Sequence, residues 1–452
     1  MTPDLRNKKI VVVGAGRTGL ALAGYFHERG AEVILSDRRP AARIAGLEPL
    51  RQAGVALDLG GHTAAYFGAA DLVAISPGVP LSVPAVAGAI RLGVPVLGEV
   101  EVAFRELSAP MVAITGTNGK STTTTLAGEI FQAWGRAVFV GGNLGTPLVE
   151  AVGGAWDWIV AELSSFQLEG IESFRPRYAM LLNISDDHLD RYPDMAAYVA
   201  AKMRIFENMT DSDVAVLNAD DPLVQEAAAA IRARRVEFSS RRLLPAGMGF
   251  EGGEIVWRWG GEEHRFPARE LRLRGAHNLE NVMAALIPPL LEGCPAQLAW
   301  RAACSCAGLP HRMELVRELD GVAWYNDSKG TNVGSVVKSL AGLAAPVTLI
   351  AGGKDKGSDY GPLAGPLREK VAHLVLIGQA AERMARDLAG HTDTVRVETL
   401  DDAVQRAREL TPSGGSVLLS PACSSFDMFA NFEERGDAFC RAVNALPQRE
   451  AV

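Results

Sequence analysis

The stretch MVAITGTNGKSTTTTLAGEI, Met111 to Ile130, decides the fold. A short apolar run enters a glycine-rich loop, and the loop ends in Gly-Lys-Ser at the start of a helix-compatible segment. Successive backbone N–H groups in such a turn form an anion nest, the helix N-terminus adds its dipole, and a lysine reaches the outer phosphates of a nucleotide. In GTNGKS the turn belongs to Gly116 and Gly119, the phosphates to Lys120 and a magnesium ion to Ser121. The usual G-x-x-x-x-G-K-[ST] pattern places its first glycine where this chain has Ile114. The alternative is a plain strand-to-helix turn with a surface lysine.

Outward from this loop, the same rhythm repeats. Short apolar runs (KIVVVG, EVILSD, DLVAIS, MVAIT, DWIVAEL, YAMLLNIS, DVAVLNADD, PVTLIAGG, HLVLIG, SVLLSP) alternate with helix-compatible segments through most of the chain. That alternation predicts an α/β protein with parallel sheets covered by helices on both faces. Many runs end in Gly, Asn, Asp or Ser, at the strand ends where open α/β sheets carry their ligand loops. A length of 452 residues suggests about three domains. Boundaries fall near Gly98 and Gly308, giving 1–98, 99–308 and 309–452, with Rossmann-like first and third sheets around a central phosphate-loop sheet. FEGGEIVWRWGGEEHRFPARELRLRGAHN alternates with period two around Gly-Gly turns and reads as a β-hairpin excursion.

Composition narrows the class. The chain is 48% hydrophobic and 22% charged, as in a globular enzyme, with 45 basic against 53 acidic residues and a net charge of -8. No dense Lys/Arg cluster is present to neutralise a nucleic-acid backbone, so nucleic acid is an unexpected partner. Neither a signal-type apolar region near the N-terminus nor a membrane-length apolar segment is evident, which predicts a cytoplasmic protein. Five cysteines (Cys294, Cys304, Cys306, Cys423, Cys440) include no C-x-x-C pair and read as reduced thiols.

A second glycine motif opens the chain. VVVGAGRTGL sets Gly14, Gly16 and Gly19 in G-x-G-x-x-G order after a strand, with Asp37 at the end of the next strand. Alone it signals dinucleotide binding, although the same geometry holds any pyrophosphate, including that of a UDP-sugar. Glu162 in VAELSSFQLE ends an apolar strand, either as a Walker-B-like magnesium acid or as a helix cap. NISDDHLDRY gathers Asp186, Asp187, His188 and Asp190, either as a polar site or as a solvated turn. Lys202, in YVAAKMRIFEN, reads from composition as an ordinary surface helix lysine. HRME (His311–Glu314), NDSKGTN (Asn326–Asn332), AGGKDKGSDY (Ala351–Tyr360) and SPACSSFDMFANFEERG (Ser420–Gly436) put basic and hydroxyl groups on loops after strands.

Taken together, GTNGKSTTT, GGNLGTP, NISDDHLDR, HRME, NDSKGTN and LLSPACSSFDMFANFEERG resemble, in this order and over the whole chain, the Mur ligases of bacterial cell-wall synthesis. The resemblance implies three α/β domains and ATP-dependent amide-bond formation through an acyl phosphate. GAGRTG and the C-terminal serine-rich segment look most like the branch that joins D-glutamate to UDP-N-acetylmuramoyl-L-alanine. It assigns Lys120 to the β- and γ-phosphates, Ser121 and Glu162 to one magnesium ion, and His188 with a carbamylated Lys202 to a second. The remaining ATP contacts would be Gly116, Thr117, Asn118, Gly119, Thr122, Asn278, Asn281, Arg312 and Asp327. The UDP-sugar would lie against Gly16, Arg17, Thr18, Gly19, Asp37, Ser76, Gly78 and Asn143. Lys329 and Thr331 would approach the reactive ends, and Lys356, Ser425 and Phe432 would surround D-glutamate. A monomer that closes its domains on the substrates is the implied working form.

Four other readings compete at this point. A sister ligase or a folylpolyglutamate synthetase would share the central domain, though the latter normally lacks a separate GAGRTG unit. A nicotinamide-dependent dehydrogenase explains Gly14 to Asp37 but leaves Lys120, Glu162 and His188 idle. A nucleotide-switch protein explains only the phosphate loop.

Overall fold

A computed structural model of the chain describes residues 5–187, 191–273, 275–306 and 308–448. It divides into two compact units. One comprises Met1–Ile184, Asp194–Arg269 and Glu280–Ala303, and the other Ser185–Pro193, Glu270–Leu279 and Cys304–Val452. Among the described residues the first unit holds two sheets and the second holds one.

The apolar runs become strands for a common reason: they are buried on both faces. In the first sheet, β1 (Lys9–Val13), β2 (Glu32–Asp37), β3 (Ala56–Leu59), β4 (Leu72–Ile75) and β5 (Val96–Gly98) are parallel in the order β3-β2-β1-β4-β5. Side chains alternate along a strand, so Ile10 and Val12 enter one core with Leu22 and Phe26, while Val11 and Val13 enter the opposite core with Phe67 and Ile75. Each fully buried aliphatic side chain contributes about 1.5–3 kcal/mol, so two-sided burial selects a continuous apolar run over a polar alternation. The strand order reverses direction between β1 and β4, which leaves a crevice outside their carboxyl ends.

The second sheet runs β14-β13-β12-β11-β10-β9-β6-β8-β7. Its parallel part comprises β6 (Met111–Thr115), β7 (Val138–Gly142), β8 (Trp158–Glu162), β9 (Tyr178–Leu181), β10 (Val214–Asn218) and β11 (Arg234–Phe238). All five residues of β6 are buried, and β6 lies between β8 and β9, so its terminal loop opens at the middle of the sheet's edge. The segment read as a β-hairpin excursion forms antiparallel hairpins at its Gly-Gly turns, a meander of β12 (Gly247–Glu251), β13 (Glu254–Trp259) and β14 (Glu262–Pro267) that also continues the same sheet. One pair, Phe238 with Met248, joins it to β11.

In the second unit β15 (Glu314–Leu319), β16 (Val322–Asn326), β17 (Val347–Gly352), β18 (Val371–Ile377), β19 (Asp393–Arg396) and β20 (Ser416–Leu419) take the order β15-β16-β20-β17-β18-β19. Only β15 is antiparallel to its neighbour. Leu374 and Leu376 of β18 enter one core, Val375 and Ile377 the other. The five cysteines are free thiols. No helix among the described residues is long and apolar enough to cross a membrane.

Candidate active site

The loop after β6 has its shape imposed from a distant strand end. Asn183, just beyond β9, accepts the Asn118 N–H through Oδ1 at 2.8 Å, donates from Nδ2 to the Asn118 carbonyl at 2.9 Å, and its own carbonyl accepts the Thr117 N–H at 2.9 Å. Gly119 has φ 89°, and a Cβ there would stand 2.2 Å from Asn281 Oδ1, so both backbone conformation and space require glycine. Helix Lys120–Ala133 starts at once, leaving its first N–H groups at the loop. Lys120 Nζ donates to the carbonyls of Gly116 at 3.1 Å and Thr117 at 3.0 Å. Ile114 is a fully buried residue of β6, so the turn begins at Gly116 and the missing first glycine is not needed.

Glu162 ends β8 in register with Ile114 and is 2% exposed. Its Oε1 accepts the Asn143 amide N–H at 2.7 Å, whereas its Oε2 is buried without a hydrogen-bond partner among the described residues. Thr122 Oγ1 is also buried without one, and Ser121 is 3% exposed. A buried oxygen lacking a donor costs about 1–3 kcal/mol, which a hard cation with oxygen ligands would offset. Glu162 and Ser121 therefore fit a magnesium ion, on the donor chemistry and the orphaned oxygen.

Lys202 overturns its composition-based reading as a surface residue. It is 1% exposed, donates to the Gly116 carbonyl at 2.9 Å and stands 4.5 Å from the ring centre of Tyr198. Helix Met195–Met203 turns Tyr198, Ala201 and Lys202 inward, and the phosphate loop supplies the acceptor. Tyr198 Oη lies 3.2 Å from Thr117 Oγ1. His188 lies outside the described residues.

At the crevice of the first sheet is a cleft of 620 Å³ lined by the Gly14–Thr18 loop, Asp37 to Arg39, His62, Ser76 to Pro80 and Asn143. Gly19 packs so tightly that a Cβ would stand 1.6 Å from the Gly14 carbonyl, and the Ser76 hydroxyl donates to that carbonyl at 3.0 Å. Arg17 donates to the Gly145 carbonyl at 2.8 Å. Asn143 both lines this cleft and holds Glu162, so a single side chain touches the two places the sequence assigned separately. Asp37 accepts the Ala15 N–H through Oδ2 at 2.7 Å and the Arg39 N–H through Oδ1 at 2.8 Å, and pairs with the Arg39 guanidinium at 2.8 Å. Burial opposes its charge, but these donors outweigh it and hold the carboxyl down to about 2. Both oxygens of the dinucleotide-type acid are thus employed in fixing the loop.

In the second unit, the assigned residues follow β16, β17 and β20. Asp327 is fully buried, and burial pushes its carboxyl up against the Ser420 and Ser339 hydroxyls, each 2.7 Å away, and the charge of Arg312. Arg435 ties two loops by donating to the carbonyls of Ser328 at 2.8 Å and Cys423 at 3.2 Å. The Ser328 hydroxyl donates to the Phe432 carbonyl at 2.8 Å, and Lys329 Nζ lies 5.3 Å from the Phe432 ring centre. Ser425 is 2% exposed, Thr331 is half-buried, and Lys356 is exposed on the β17 loop. Asn278 belongs to this unit and Asn281 to the other.

Sequence reasoning did not single out Asn183, Tyr198 or Glu99. Asn183 had a signal, an asparagine ending an apolar strand. Glu99 accepts the Val149 N–H at 2.8 Å, holding the turn that follows the Asn143 loop, and burial pushes its carboxyl up to about 7.

The fold and these loops define a nucleotide-dependent enzyme of the phosphate-loop type. Residues 8–98 match the model for the Mur ligase MurD-like N-terminal domain, 114–288 that for the Mur ligase middle domain, and 311–423 that for the Mur ligase glutamate ligase domain. The chain belongs to the Mur ligase family. It is 64% identical over 444 residues to the UDP-N-acetylmuramoylalanine--D-glutamate ligase of Syntrophotalea carbinolica, covering 98% of this chain and 99% of the relative. The enzyme of the same name from Geotalea uraniireducens is 55% identical, with 98% of each chain covered. The UDP-N-acetylmuramate-alanine ligase structure from Thermotoga maritima, 20% identical, shares the fold with a TM-score of 0.61 over 97% of this chain and 100% of that one.

Proposed function

We propose that the chain ligates D-glutamate to UDP-N-acetylmuramoyl-L-alanine, with ATP converted to ADP and phosphate, in peptidoglycan precursor synthesis. The choice of substrates rests on the 64% identity across nearly the whole chain to a D-glutamate ligase. The chemistry rests on the buried, partnerless Oε2 of Glu162, one strand from the loop of Lys120.

A carboxylate is a poor electrophile, and phosphorylation gives it a leaving group. In the proposed reaction the alanyl carboxylate takes the γ-phosphoryl group, the amine of D-glutamate attacks the acyl phosphate, and the tetrahedral intermediate collapses to amide and phosphate. The N–H groups of Gly119 to Ser121, where the loop turns into the helix, receive the phosphates, and Lys120 leaves its two loop carbonyls to pair with them. Asn143 fixes the rotamer of Glu162. Ser121 and Glu162 would hold one magnesium ion and His188 with Lys202 a second, which when bound would supply charge neutralisation for the transferring group. Catalysis in this scheme is mostly positioning and electrostatics.

Lys202 joins this set as a carbamate. Its neutral Nζ attacks CO2, an N–C bond forms and a proton leaves, converting a cation that repels metal into an anionic oxygen donor. Burial supports the reading, since an ammonium there has poor access to water. Asn278, Asn281, Arg312 and Asp327 complete the ATP contacts, and Lys329, Thr331, Lys356, Ser425 and Phe432 receive the amino acid. The proposed domains are 1–98, 99–308 and 309–452, in a cytoplasmic monomer.

Phosphate release from ATP and Mg2+ with UDP-N-acetylmuramoyl-L-alanine tests the proposal, comparing D-glutamate, L-glutamate, L-alanine and no amino acid. Release that needs both the UDP-sugar and D-glutamate supports it. Release with another amino acid moves the chain to a sister activity, and none under any combination rejects the ligase.

A further inference from the structure

In the cleft of the first sheet, His62 is held in one orientation and one tautomer. Its Nδ1 lies 2.8 Å from Ser36 Oγ, and the same Oγ lies 2.8 Å from Asp58 Oδ2. Ser36 is fully buried and has a single hydroxyl proton. Asp58 also receives the Thr63 N–H at 3.0 Å and the Thr63 hydroxyl at 2.7 Å. Burial works against its charge, but the Thr63 donors and the Ser36 hydroxyl outweigh it and keep the carboxyl below its ordinary range. The Ser36 proton therefore points at the carboxylate, because two bare acceptors at 2.8 Å would repel. Ser36 Oγ must then accept from His62 Nδ1–H. The ring is further fixed edge-on to Phe67, with centres 5.9 Å apart and planes at 81°. In the neutral imidazole this leaves Nε2 as a lone-pair acceptor, on a side chain that lines the cleft.

Position within the sheet says what that acceptor meets. In a doubly wound sheet the diphosphate sits on the turn after the first strand, and the nucleoside lies toward the end of the second. His62 follows β3, the neighbour of β2 on that side. Asp37, which would ordinarily contact the nucleoside there, has both oxygens engaged with Ala15 and Arg39.

We propose that His62 Nε2 accepts the imide N3–H of the uracil ring, making this cleft selective for uridine over cytidine nucleotides. The inference rests on the reading of the cleft as the UDP-sugar site. Uracil presents a donor at N3, whereas cytosine presents a lone pair there, which would face the lone pair of Nε2. A site built to take a hydrogen bond rejects an analogue that leaves its buried polar groups unpaired.

Calorimetric titration of the whole chain with UDP, CDP and N3-methyl-UDP tests this, on the native sequence and on His62→Ala and His62→Phe. The phenylalanine variant keeps a ring against Phe67 while removing both nitrogens, and matching melting curves verify that each variant is folded. The native chain is expected to bind UDP at least about tenfold more tightly than either analogue. Both variants should lose about tenfold in UDP affinity and bind UDP and CDP within about twofold of each other. Unchanged preference for UDP in folded variants overturns the role of His62 while leaving the UDP-sugar site standing. Failure of the native chain to bind any of the three overturns the nucleotide reading of the cleft and this assignment with it.

Discussion

Lys120 and Lys202 donate to the same carbonyl oxygen, that of Gly116, at 3.1 and 2.9 Å. One lysine starts the helix after the loop and the other lies 82 residues later, so the two side chains converge on the peptide where phosphate is expected to bind. The bonds also differ in what they can release. Lys120 is half-buried and can swing outward, whereas Lys202 is enclosed.

Lys120→Ala should therefore abolish phosphate release, by at least about a thousandfold, and leave the fold intact, because the Gly116 carbonyl keeps its bond from Lys202. The same loss is expected for His188→Ala. Steady-state turnover together with far-ultraviolet circular dichroism checks both, and near-normal activity in either would show that the active site is misplaced.

Carbamylation of Lys202 can be read directly. Protein incubated with 13C-bicarbonate should give a carbamate carbon resonance that disappears in Lys202→Ala, together with activity. A spectrum without that resonance in active native enzyme would remove the modification from the scheme.

At Glu162 stability and catalysis should part company. Glu162→Gln keeps an oxygen for Asn143 and removes a buried, uncompensated carboxylate, so its unfolding free energy should equal or exceed the native value by about 1 kcal/mol. Turnover should fall at least about a hundredfold, and the magnesium-dependent rise in melting temperature with a nonhydrolysable ATP analogue should vanish. Urea titration and thermal melts measure both.

Asp37 carries a pH signature. Its carboxyl is held down to about 2 from an ordinary 3.8, so the unfolded chain takes up this proton first as pH falls. The stability it contributes is complete above about pH 4 and is lost as pH falls from there toward 2. Asp37→Asn should consequently be less stable than the native chain near neutrality, and the gap between their urea midpoints should narrow across that acid window. A gap independent of pH would show that the Arg39 and Ala15 contacts do not act through charge.

Ser425→Ala should raise the Michaelis constant for D-glutamate about tenfold while turnover changes less than about threefold, the size of one neutral hydrogen bond. Initial-rate kinetics with varied amino acid decide it.

The strands were legible because burial on two faces writes a continuous apolar run, and every quoted run forms one. The loop of Gly116 to Ser121 was legible for the same local reason, a turn with fixed glycine requirements. What escaped depends on residues far apart in sequence. Lys202 carries no local mark of burial, since the carbonyl it reaches lies 86 positions earlier. Asp37 was legible as the acid that ends the strand after the first glycine motif, and only the folded loop shows its oxygens turned to Ala15 and Arg39. The meander at β12 to β14 was seen as alternation, but its attachment to β11 is a single bridge that no periodicity announces.

The clasp between Asn118 and Asn183 spans 65 positions of chain. During synthesis the glycine-rich segment emerges well before its partner, and β6 has only one flank until β9 arrives. A ribosome-bound chain halted before residue 183 would carry the nucleotide-binding letters without the nucleotide-binding shape, and competence for ATP would switch on only as the ninth strand docks.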